Sequence, residues 1–132
     1  MPKKLGIKEG MDVVVLGAPP YFSTTLGALP DGASLADTAG EAEIYIVFSD
    51  SADEIDRLFH LAMGNIPADG AIWVAWPKKS SGIETDLSEA TMRDVFLPTG
   101  MVDNKVCAID EIWSGLRFVV RKENRPTWRL AT

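Results

Sequence analysis

Three continuous apolar runs stand out along the chain: Asp12 to Leu16 (DVVVL), Ile44 to Phe48 (IYIVF) and Ala71 to Trp76 (AIWVAW). Such runs, rich in β-branched residues, suit strands covered on both faces. Between the second and third lies SADEIDRLFHLAMGNIP, in which Ile55, Leu58, Phe59 and Ala62 form one helical stripe and Ser51 and Glu54 have capping-box spacing. The pattern is strand, helix, strand. It recurs after AIWVAW: Asp86 is placed to cap a helix carrying Leu87, Val95 and Phe96, Pro98 and Gly100 end that helix, and Val106 to Ile109 (VCAI) returns as a strand. A short connection, DEIWSG, leads into LRFVVR, whose Leu116, Phe118 and Val120 alternate with Arg117 and Arg121. That alternation predicts an antiparallel strand with a more exposed face.

Each crossover needs parallel strands and should be right-handed, so the ends after Leu16, Phe48, Trp76 and Ile109 emerge at one edge of one sheet. Between Tyr21 and Glu43 there is room only for a short helix (Phe22 to Leu29) and a short strand (Ser34 to Ala36). The expected fold is therefore α/β: a three-layer, Rossmann-like, mostly parallel sheet with a C-terminal antiparallel hairpin. Residues 1–122 form a single domain in this reading, and 123–132 a C-terminal tail.

Composition narrows the function classes. With 132 residues, 46% hydrophobic, the chain suits one domain with one buried core. A net charge of −6 argues against nucleic acid or an acidic membrane as partner, since phosphate recognition rests on basic surface. The acid is uneven, however. Residues 31–60 carry eight acidic side chains (Asp31, Asp37, Glu41, Glu43, Asp50, Asp53, Glu54 and Asp56) against Arg57, which leaves the remainder close to balanced and a local basic site feasible. The lone cysteine, Cys107, lies in an apolar run, where a buried, unreactive thiol is expected. MPKKLGIKEG lacks the apolar middle of a secretion signal, and no stretch reaches membrane-spanning length, so a cytoplasmic location is expected.

In open α/β sheets ligands bind beyond the carboxyl ends of the strands, where WPKKSSG falls. That edge offers Lys78 and Lys79 as cations, Ser80 and Ser81 as hydroxyl donors, Trp76 and Trp113 as flat walls, and Gly82 and Gly115 as pliable backbone. Asp50 and Ser114 are the neighbouring candidates. Such a set suits an anionic small molecule or the carboxylates of a protein partner. Equally, the lysines are ordinary loop residues and Trp73, Trp76 and Trp113 fill core. His60 falls beside the apolar stripe of its helix, no His/Cys cluster suits zinc, and neither a G-x-S-x-G elbow nor a P-loop is present. Asp50, Asp110 and Glu111 could act as acids or hold an ion with Ser49, but in so acidic a chain they single out no catalytic or metal centre.

The order of elements resembles a shortened class I S-adenosylmethionine-dependent methyltransferase: GMDVVVLGAP is similar to that family's first strand and turn, NIPADGAIWVAWPK to a later helix end and strand, and the last strand pair to its hairpin. More closely, GIKEGMDVVVLGAPPYF, AIWVAWPKKSSG and TDLSEATMRDVFLPTGMVDNKVCAIDEIWSGLRFV resemble short bacterial proteins of domain-of-unknown-function family 3052. The methyltransferase resemblance implies a cofactor turn at Gly17-Ala18-Pro19-Pro20 and an acidic partner at Asp37, twenty residues beyond Gly17. One glycine remains in that turn, and the prolines remove N–H donors. The favoured expectation is accordingly a non-catalytic module, without a cofactor, that binds an anionic ligand or protein partner at the WPKKSSG edge. The alternative is an S-adenosylmethionine-dependent methyltransferase with a reduced cofactor half, using Gly17 and Asp37. A further alternative is an assembly component, with Arg125, Trp128 and Arg129 of the tail docking on another chain or on a sister subunit of a homo-oligomer.

Overall fold

A computed structural model describes residues 1–128. Helix α1 (Pro2–Leu5) precedes β1 (Asp12–Leu16), α2 (Phe22–Leu26), β2 (Ser34–Ala36), β3 (Ile44–Phe48), α3 (Ala52–Met63), β4 (Ala71–Pro77), α4 (Glu89–Phe96), β5 (Met101–Ala108) and β6 (Trp113–Val120). They form one six-stranded sheet in the order β2-β1-β3-β4-β6-β5. The pairs β1–β2, β1–β3 and β3–β4 are parallel, and β6 is antiparallel to both β4 and β5. This is the expected three-layer α/β architecture with its C-terminal hairpin. Strand β6 inserts between β4 and β5, so β5 runs parallel to β4 without touching it. Antiparallel pairing with β6 also extends β5 back to Met101, beyond the VCAI segment.

Alternation along the strands divides the core into two layers. Val14, Tyr45, Val47, Ile72, Val74, Leu116 and Phe118 face α3 and α4, while Val13, Val15, Ile46, Phe48 and Trp73 face Leu5 of α1 and Phe22 and Leu26 of α2. On the first side Phe59 stacks on Phe96 at 3.9 Å, with Phe118 edge-on to both. The stripe Ile55, Leu58, Phe59 and Ala62 is buried as its spacing predicts, and the Ser51 hydroxyl accepts from the Glu54 N–H.

Three local expectations change. Ser88, not Asp86, caps α4, because Ser88 and Thr91 satisfy each other's backbone N–H groups in a capping box. The Asp86 carboxylate instead accepts from the Ala52 N–H at 3.0 Å, serving the first turn of α3. Val95 is exposed, and Met92 takes the inner position beside Phe96. The tail segment folds on its own chain: Trp128 packs against the α3-side core and its Nε1 donates to the Ile66 carbonyl at 3.0 Å, while Arg125 donates to the Val120 carbonyl. That contact uses the Trp128 ring within the monomer; Arg129 lies outside the described residues. Among the described residues no helix is long and apolar enough to cross a membrane.

Candidate functional site

The carboxyl edge of the sheet carries two depressions, and the residues expected there separate between them. Asp50, Lys79 and Gly82 line one, an open hollow completed by the 83–87 segment. Its charged lining is Asp50, Glu84 and Asp86 against Lys79, which disfavours an anion. Gly82 (φ +78) ends the single turn Lys79–Ser81. Lys78 is turned away: its Nζ donates to the Asp110 carbonyl at 2.6 Å and its backbone N–H to Ile112 at 2.7 Å, so it ties the β4 end to the hairpin. The Ser81 hydroxyl donates to the Lys78 carbonyl within the same turn, and Ser80 is exposed beside it.

Of the two aromatic walls, Trp76 is core and Trp113 packs at the margin of the core. Trp76 is 6% exposed and belongs to the α3-side layer, because its register opposite Ser114 sends its ring inward. Trp113 is half-buried, edge-on to Phe48 at 5.2 Å, and packs on the α2-side layer. Gly115 is buried; an added Cβ would lie 3.1 Å from Ile109 and 3.2 Å from Trp73, so its smallness serves packing rather than pliability. His60 is exposed and bonded within its own helix, at 2.9 Å to the Asp56 carbonyl.

The second depression, of about 660 Å3, opens beyond β1 and β2 and is lined by Val15, Gly17, Pro19, Phe22, Leu35 and Asp37, among others. It unites Gly17 and Asp37. Gly17 adopts φ +73, and an added Cβ would stand 2.5 Å from the Phe48 carbonyl oxygen. Only glycine lets the β1 end turn this close to the β3 end. Asp37 is exposed and makes no side-chain hydrogen bond or ion pair among the described residues. Ser23, Phe22 and Leu35 complete the wall with a hydroxyl and apolar surface. Sequence reasoning passed over these three; the only signal for them was their nearness in the chain to the Gly17 turn and to Asp37. Strand β2 is exposed at all three positions, so the cavity is open on its outer side.

Solved structures of similar shape include S-adenosylmethionine-dependent methyltransferases. A putative type 11 methyltransferase from Sulfolobus solfataricus matches with TM-score 0.62 and 12% identity over 92% of this chain and 90% of that one. A methyltransferase from Aquifex aeolicus matches with TM-score 0.60 and 13% identity over 89% and 87%. Magnesium protoporphyrin IX methyltransferase from Synechocystis PCC 6803, with bound S-adenosylmethionine, matches with TM-score 0.60 and 12% identity over 86% and 71%. No family model and no curated protein matches the sequence. The likeness establishes the fold: a Rossmann-like sheet of the methyltransferase class. It also corrects the favoured expectation of a non-catalytic, cofactor-free module at the lysine edge. The neighbours, one of them holding the cofactor, favour the methyltransferase alternative, and Gly17 and Asp37, which that alternative singled out, share a cavity, while the lysine-edge set divides between an acid-lined hollow, the hairpin and the core.

Proposed function

We propose that the chain is an S-adenosylmethionine-dependent methyltransferase whose cofactor half is reduced to one short edge strand. The observation that carries this reading is the convergence of Gly17 and Asp37 on one cavity at the carboxyl ends of β1 and β2. The lining fits the group. The unpaired Asp37 carboxylate can accept from the vicinal hydroxyls of a ribose, Phe22, Val15 and Leu35 offer apolar surface to a flat ring, and the volume lies in the range of small-molecule sites, about 300–1,000 Å3. When bound, the cofactor supplies a methyl group on a sulfonium centre.

The chain's own contribution is positioning, by which most of the barrier to such a transfer is lowered when the acceptor is already nucleophilic. Gly17 brings the β1 turn against Phe48, and Asp50, two residues further along, is the carboxylate that β3 delivers to the same edge. Asp50 itself lines the neighbouring hollow rather than the Gly17–Asp37 cavity. The finer resemblance to domain-of-unknown-function family 3052, and a reducing cytoplasmic setting consistent with the single Cys107, belong to the same proposal.

Calorimetric titration with S-adenosylmethionine and S-adenosylhomocysteine tests it. Saturable binding is expected, weakened about tenfold or more in Asp37→Ala through loss of the charge-assisted hydrogen bonds. Absence of saturable binding of either nucleoside into the millimolar range overturns the reading.

A further inference from the structure

A third cavity, of about 220 Å3, lies over the α1-side face of the hairpin and is lined by Lys3, Lys4, Gly6, Asn104, Lys105 and Arg117. Four of these side chains are cations and none is a carboxylate, in a chain whose net charge is −6. Pairing places them there. Arg117 stands opposite Trp73 on β4 and beside Lys105 on β5, and Trp73 faces α1, so the guanidinium emerges on the α1 side. Trp73 in turn holds α1 down, its Nε1 donating to the Leu5 carbonyl at 2.9 Å.

The cations are held rather than loose. Lys4 Nζ donates to the Ala108 carbonyl and Lys105 Nζ to the Lys4 carbonyl, each at 2.8 Å, which leaves both ammonium groups with donors to spare. Arg117 Nη1 donates to Asn104 Oδ1 at 3.3 Å. Its Nε is buried without any hydrogen-bond partner, the only such side-chain nitrogen or oxygen among the described residues. Burial pushes the Arg117 guanidinium below its ordinary value. The one carboxylate on β5, Asp103, is engaged by Arg93 at 2.9 Å and does not line the cavity. A half-buried guanidinium with an orphaned donor and no counter-charge is costly to keep unless something completes it.

We propose that Lys3, Lys4, Lys105 and Arg117, with Asn104, form a binding site for a small phosphate-class oxyanion, either free phosphate or the phosphoryl end of a small phosphomonoester. A tetrahedral dianion offers several acceptors to donors converging from two strands and a helix, and the cavity has room for one such group. The site shares no residue with the Gly17–Asp37 cavity, so the two proposals stand or fall separately.

The full chain is titrated with inorganic phosphate, and separately with glycerol phosphate, at ionic strength held constant with chloride. Thermal unfolding and the amide resonances of Gly6, Asn104 and Lys105 are followed. The melting temperature of the wild type should climb with the logarithm of phosphate concentration, as mass action requires, and those three amides should shift saturably. Lys3→Ala/Lys105→Ala should weaken binding about tenfold or more. Arg117→Met should be at least as stable as the wild type in chloride yet give no phosphate response, an outcome that a purely structural arginine would not produce. A larger response to glycerol phosphate assigns the site to phosphomonoesters, and an equal one to the free anion. Equal melting shifts in the wild type and the double lysine variant, or no saturable shift up to about 50 mM phosphate, overturn the proposal.

Discussion

The cavity beyond β1 and β2 and the cavity over the β5–β6 hairpin occupy one sheet and are built in opposite ways. The first is a product of chain ends: the Gly17 turn, the start of α2 and the end of β2 enclose apolar surface around one unpaired carboxylate. The second is a product of regular elements, where strand pairing and the docking of α1 gather four cations from opposite ends of the sequence. Lys4 and Ala108 are 104 positions apart, Lys105 and Lys4 101. A site made by loops can be altered with little cost to the fold. A site made by ladder neighbours shares its supports with the core.

The largest effect should come from the support shared by the second cavity and the core. Trp73 is fully buried and anchors Leu5, so Trp73→Ala is expected to cost about 3–5 kcal/mol in denaturant unfolding and to abolish the phosphate response with it. A variant that unfolded normally and still bound phosphate would separate the cation cluster from α1. Next in size is Gly17→Ala. The positive φ and the 2.5 Å approach to Phe48 predict a loss of about 1–3 kcal/mol, with reduced nucleoside binding and an unchanged phosphate response.

Smaller again are the lysines after β4. Lys78→Ala removes the bond to the Asp110 carbonyl and should cost about 1 kcal/mol, whereas Lys79→Ala should stay within about 0.5 kcal/mol. Equal losses would mean that the bond to Asp110 contributes nothing.

The slightest effect is a rate. Burial raises the Cys107 thiol above its ordinary value, and the nearby Lys4 and Lys105 oppose that rise. Alkylation needs the thiolate, so at pH 8 Cys107 should react more slowly than an unhindered thiol, and Lys4→Ala/Lys105→Ala should slow it further. Faster alkylation of the double variant would show that access, not charge, governs the thiol.

Much of the architecture was legible in the residues alone. The doubly covered runs became β1, β3 and β4, the stripe of α3 is buried as spaced, and the short strand Ser34–Ala36 stands at its expected bounds. The candidate site was legible only in part. Gly17 and Asp37 carried a turn-and-acid pattern that the fold brings together, whereas the WPKKSSG set looked convergent because its residues are adjacent in sequence. Adjacent residues on a strand point to opposite faces, so Trp76 turns into the core while the turn after it runs outward.

What the sequence determined by itself is whatever depends on local period: which segments are strands or helices, which face of α3 is apolar, where Ser51 starts a helix, and that one cysteine has no internal partner. The tertiary structure decided what depends on distant neighbours. Asp86 serves α3 across 34 positions rather than α4 beside it, β6 enters between β4 and β5, and the scattered Lys3, Lys4, Lys105 and Arg117 become one cluster. Hydrophobic periodicity reports how a side chain faces its own element. Which donor meets which acceptor is settled only when elements far apart in the chain pack, because hydrogen-bond and charge partners are chosen by position in space and leave no local period to read.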